Sequence, residues 1–155
     1  MIAAENEIAI PARPEAVWEV LLDFERYPSW HPFIELVGDP SLGAKIEYRY
    51  TGKMLGMGRL RKMHSFARIT ALAAPIEFAW RMSMGSFLFR IDESYRLERH
   101  PTGTRLAHRV EYRGVVARLW RAGITSRAHV MICETDTALR ARFVKRPPPR
   151  KRGRR

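Results

Sequence analysis

The chain has almost no cysteine. Cys133 is the only one in 155 residues, so no intramolecular disulfide and no cysteine-based zinc cage can form. No apolar run approaches the roughly 18 residues that span a bilayer, and Glu5 and Glu7 break any signal-peptide reading. A cytoplasmic protein without redox chemistry is expected. Catalytic signatures are also missing: there is no P-loop and no G-x-S-x-G elbow. Gly52, Gly56 and Gly58 fall in the short segment TGKMLGMG with no helix pattern after it, so a flexible hairpin or mouth loop is expected there. His31, His64, His100 and His129 show no metal-ligand spacing, and His129 with Cys133 offers only two ligands, so neither a metal nor a cofactor is expected.

Acidic residues are few: 16 Asp and Glu stand against 28 Lys and Arg, for a formal net charge of +12. Lys145, Arg146, Arg150, Lys151, Arg152, Arg154 and Arg155 supply seven of those twelve charges and leave five on the rest. With Pro147, Pro148 and Pro149 in its middle, this stretch cannot bury enough apolar surface to fold. Residues 145–155 are therefore expected to be a disordered basic tail, and residues 1–144 a single domain. The tail either attracts a polyanion, such as RNA, the ribosome or an anionic membrane, or is a solvated end with no dedicated partner. A monomer or weak dimer is expected.

What the chain does have is a change of period. Pro14 and Glu15 begin a helix, and Ala16, Val17, Val20 and Leu21 recur at helical spacing up to Asp23. A second, brief helix follows, broken by Pro28 and Pro32, and Tyr27, Trp30 and Phe33 crowd this corner with aromatic rings as a lid or wall. From Ile46 the period becomes two. Ile46, Tyr48 and Tyr50 share one face; Ile76, Phe78, Trp80, Met82 and Met84 a second; Phe87, Phe89, Ile91, Glu93, Tyr95 and Leu97 a third; Leu106, His108, Val110 and Tyr112 a fourth. Gly85 and Pro101-Thr102-Gly103 mark the turns between them. A further strand from about residue 60 to 72 does not keep one parity, so it should carry a bulge. From Val115 the period turns helical for about thirty residues, with Val116, Leu119, Trp120, Ile124, Ala128, Met131, Thr135, Leu139 and Phe143 on one stripe. Arg118, Arg121, Arg127, Asp136 and Arg140 lie on the other side.

The run AVWEVLLDFERYPSWHPF at residues 16–33, the segments FARITALAAPIEFAW at 66–80 and GTRLAHRVEYRG at 103–114, and the terminal helix occur in the order seen in the START-like, or SRPBCC, superfamily. The chain resembles its polyketide cyclase/dehydrase-like branch. That resemblance implies an α+β helix-grip fold: a curved antiparallel sheet of six to seven strands wrapped around a long C-terminal helix, with two short helices after the first strand. It also implies an internal cavity for a lipid, polyketide or quinone-like ligand.

Tyr48, Tyr50, Trp80, Met82, Phe89, Tyr112, Trp120 and Met131 would line such a cavity, unless they simply interdigitate as a filled core; cavity volume separates the two. Among them, strand parity turns two polar groups inward, Glu93 and His108. A buried carboxylate is costly unless paired, and histidine titrates near neutrality, so both are candidate ligand contacts. If the protein is a polyketide cyclase or dehydratase, they are also the candidates for proton transfer. The outer strand faces alternate Lys and Arg with Glu and Asp, the pattern of cross-strand ion pairs, and show no aromatic interleaving of the kind that binds nucleic acid.

Overall fold

The computed structural model describes residues 1–51, 63–85 and 87–144. The glycine-rich segment around Gly56 and the basic tail lie outside them. Strand β1 (Ile2–Ile10) leads into α1 (Pro14–Leu22), with Pro14 at its first turn, and then a 3₁₀ helix at Phe24–Ser29. Pro28 sits inside that 3₁₀ helix instead of ending it, because a tight turn leaves few backbone N–H groups for a proline to deprive. Six more strands follow: β2 (Ile34–Val37), β3 (Lys45–Tyr50), β4 (Met63–Ala73), β5 (Glu77–Met84), β6 (Phe89–His100) and β7 (Gly103–Arg113). They form one antiparallel sheet in the order β1-β7-β6-β5-β4-β3-β2. The sheet curls about the last helix, so the α+β helix-grip arrangement is present.

Period two holds through the sheet. Ile46, Tyr48 and Tyr50 are buried, as are Phe78, Trp80 and Met82, then Phe89, Ile91, Glu93, Tyr95 and Leu97, then Leu106, His108, Val110 and Tyr112. Ile76, Met84 and Phe87 keep the inward parity but lie at or beyond the ends of their strands and are exposed. The irregular strand is β4, whose register shifts between Ile69 and Ala71. On the outer face the expected cross-strand ion pairs form as Arg81–Asp92, Arg96–Glu77 and Arg105–Glu98, while Arg109–Glu111 pairs along β7 itself. Such exposed pairs contribute little, about 0–1 kcal/mol each. One outer aromatic corrects the sequence reading: Phe66 faces outward with Lys45 Nζ 3.9 Å from its ring centre.

The C-terminal helix is not continuous. It divides into α2 (Val115–Leu119) and α3 (Arg121–Ala141), because Trp120, at φ −103° and ψ 25°, leaves helical geometry. Beyond the break Ile124, Ala128, Thr135 and Leu139 keep the expected stripe, and Ile132 and Asp136 widen it. In α3 the buried face is Ile124, Ala128, Ile132, Thr135, Asp136 and Leu139, packed on β1 and β7. Leu119 and Trp120, expected on the stripe, are exposed, and Asp136, expected outside, is fully buried. Gly114 permits the abrupt entry into α2: its φ is +106°, and a Cβ there would lie 2.4 Å from the Leu88 carbonyl oxygen.

Candidate functional site

Between the sheet and α3 a cavity is walled by His31 and Phe33 from the aromatic corner, Tyr48 from β3, Glu93 from β6, His108 and Tyr112 from β7, and Ala128, Met131, Ile132 and Thr135 from α3. Its volume is about 40 Å³, room for a few water molecules and far below the ~300–1,000 Å³ of an ordinary small-molecule site. Of the ten residues expected to line a cavity, Tyr48, Glu93, His108, Tyr112 and Met131 do so. Tyr50, Trp80, Met82 and Phe89 are buried elsewhere in the core, where the large side chains interdigitate. Trp120 is 40% exposed at the junction of α2 and α3, away from this wall.

The polar residues form a chain. Asn6 on β1 donates its amide N–H to Asp136 Oδ2 at 2.7 Å, and Asp136 Oδ1 lies 2.7 Å from His108 Nδ1. His108 Nε2 lies 3.2 Å from Glu93 Oε1, which also accepts the Tyr95 hydroxyl. The Tyr95 ring stacks on the His108 imidazole, with centroids 4.1 Å apart. Burial opposes a charge on His108, but hydrogen bonds to Asp136 and Glu93, and the charge of both carboxylates, raise its pKa to about 9. At neutral pH it is therefore an imidazolium donating both N–H groups. Its cation sits between two anions and against the face of an aromatic ring.

A second histidine has the opposite state. His31 Nδ1 accepts the backbone N–H groups of Phe33 and Ile34, each at 3.2 Å, and its ring stacks on Tyr27. Burial lowers its pKa to about 4; the Glu93 charge opposes this and the His108 charge adds to it. Its proton is thus on Nε2, and that buried N–H has no hydrogen-bond partner among the described residues. Glu93 Oε2 and the hydroxyls of Tyr48 and Tyr112 make no hydrogen bond among those residues either, which leaves three more polar atoms at the cavity wall open to a partner. Sequence reasoning weighed His31 only as a metal ligand and assigned Asp136 to solvent. Signals for both existed: His31 lies within the aromatic corner, and Asp136 adjoins Thr135, which is on the apolar stripe.

Residues 1–134 match the family model described as polyketide cyclase/dehydrase and lipid transport. A search of curated proteins finds no match. Among solved structures, CV1439 from Chromobacterium violaceum is 14% identical with a TM-score of 0.72, covering 93% of this chain and 99% of its own. TTHA0849 from Thermus thermophilus is 18% identical with a TM-score of 0.70, covering 92% and 97%. DynU16, a protein of the dynemicin biosynthetic locus, is 15% identical with a TM-score of 0.65; the match covers 90% of this chain and 46% of that one. At these identities the likeness is one of fold.

Proposed function

The chain belongs to the polyketide cyclase/dehydrase and lipid transport family, and from that membership we propose that it binds a small hydrophobic or aromatic ligand bearing a hydroxyl, held between the sheet and α3. The observation that carries this reading is the unsatisfied polar edge of the cavity. Glu93 Oε2 calls for a donor, the His31 Nε2–H for an acceptor, and Tyr48 and Tyr112 can supply either, while Phe33, Ile91 and Ile132 offer apolar contact. Two carboxylates around one imidazolium leave the cluster with a net negative charge. A ligand carboxylate brought beside it would be repelled in a poorly solvated space. The ligand is therefore neutral at the end that enters. The ligand-free cavity must widen to admit it, and Met131, unbranched and only partly buried, is the wall residue best able to move aside.

A matched pair of probes tests this. Titration by fluorescence should show 2-naphthol binding at least ~10-fold more tightly than 2-naphthoate, since a hydrogen bond to a charged group contributes about 1.5–3 kcal/mol. Glu93→Gln should narrow that gap. Equal affinity for both probes, or none for either, contradicts the reading.

A cyclase or dehydratase activity is the second reading. It is favoured by the adjacency of Glu93 to an imidazolium that Asp136 holds in place, the arrangement needed to keep a carboxylate oriented for proton transfer. In that case Glu93→Gln abolishes turnover of a polyketide substrate while leaving its affinity nearly unchanged.

A further inference from the structure

Away from the cavity, a group of apolar side chains has no cover from the described residues. Phe87 is 68% exposed and Leu119 76%, and Leu88, Val115 and Trp120 are exposed around them. They are brought together by the backbone: the Val115 N–H donates to the Phe87 carbonyl at 3.2 Å and the Val116 N–H to the Leu88 carbonyl at 3.0 Å. Phe87 and Leu88 are thereby fastened to the start of α2. Val115 and Leu119, four residues apart, share the outer side of that helix. Large exposed apolar groups in a cluster mark a contact surface.

The charge around this cluster is of one sign. From Tyr112 to Cys133 the chain contains Arg113, Arg118, Arg121 and Arg127 and no Asp or Glu. Arg113 pairs with Glu111, whereas Arg118 and Arg121 have no ion pair among the described residues. A second copy of the chain is a poor occupant, because a two-fold contact would set these arginines against their own counterparts with no acid between them. Separate projecting Phe, Leu and Trp side chains rimmed by arginine match the boundary of an anionic bilayer, where the rings enter the headgroup layer and the cations meet phosphate.

We infer that Phe87, Leu88 and α2 form a docking surface for anionic lipid membranes, with Phe87, Leu119 and Trp120 as the inserting groups and Arg118 and Arg121 as the headgroup contacts. This surface is independent of the ligand proposed for the cavity. It also differs from the basic tail, since the apolar anchors lie in the folded body. Docking would bring the cavity wall close to the lipid, as Tyr112 is three residues from Val115.

The test is co-sedimentation of the full chain with phosphatidylcholine vesicles, with and without phosphatidylglycerol, read alongside tryptophan emission. The wild type should bind the anionic vesicles, with a blue shift from Trp120 and strong sensitivity to salt. Phe87→Ser/Leu119→Ser and, separately, Arg118→Glu/Arg121→Glu should each lose about tenfold or more in vesicle affinity with the tail intact. Both pairs are exposed, so melting temperature and binding of 2-naphthol should stay at wild-type values. Wild-type vesicle affinity in the Phe87→Ser/Leu119→Ser variant would overturn the inference. So would absence of vesicle binding in the wild type, and a dimer in sedimentation velocity that this variant abolishes would then name a second copy as the occupant.

Discussion

Replacing Asp136 with alanine is expected to lower the free energy of unfolding by about 3–5 kcal/mol, the cost of removing one partner from a buried ionic cluster. Asp136 is fully buried on α3 and accepts from both His108 and Asn6. Its loss leaves an imidazole N–H and an amide N–H without acceptors, and removes one of the two anions that offset the His108 charge. For a domain of this size that is a fall in melting temperature of roughly 6–20 °C. Asp136→Asn, which keeps the shape but not the charge, should fall between the wild type and the alanine variant. Chemical denaturation followed by circular dichroism measures both. A loss below about 1 kcal/mol for Asp136→Ala would show that the cluster does not hold the helix to the sheet.

Stability should also peak near the ordinary histidine pKa and decline on either side. His108 has its folded pKa raised to about 9. Its contribution is fully present below the unfolded value of about 6.5 and is lost as pH rises through 9. His31 is the reverse: with its folded pKa lowered to about 4, its contribution is present above about 6.5 and lost as pH falls through 4. Each limb is on the order of 3 kcal/mol. Urea unfolding between pH 4 and pH 10 should therefore trace a dome, and His108→Gln should flatten its alkaline side while His31→Gln flattens its acid side. An alkaline limb equally steep in His108→Gln would mean that another group titrates there.

Much of the fold was legible because strands state their faces in alternation. Glu93 and His108 could be assigned to the interior before any coordinates, since each sits in phase with apolar neighbours on β6 and β7. The short strand β2 was not legible: its four residues follow directly on the aromatic corner and are too few to show a period. Helices hide their faces better. The stripe read from Val115 holds at Ile124, Ala128, Thr135 and Leu139, but the break at Trp120 leaves Leu119 and Trp120 outside, and the buried face of α3 is wide enough to take in Ile132 and Asp136 as well. Of the three charged members of the cluster Asp136 was therefore missed, as was its link to Asn6 across 130 residues. His31 was missed for another reason. Its role depends on backbone N–H groups of Phe33 and Ile34 that fix its tautomer, and no side-chain spacing records them.

Ligand entry into the space between the sheet and α3 beside Glu93 is tested most directly by nuclear magnetic resonance with 2-naphthol titrated into labelled protein. Shift changes should concentrate at Ile91, Val110, Tyr112, Ala128 and Ile132, and the His108 ring nitrogens should remain protonated while their environment changes. Shifts confined to Phe87, Leu119 and Trp120, or no saturable shifts at all, would contradict ligand entry there.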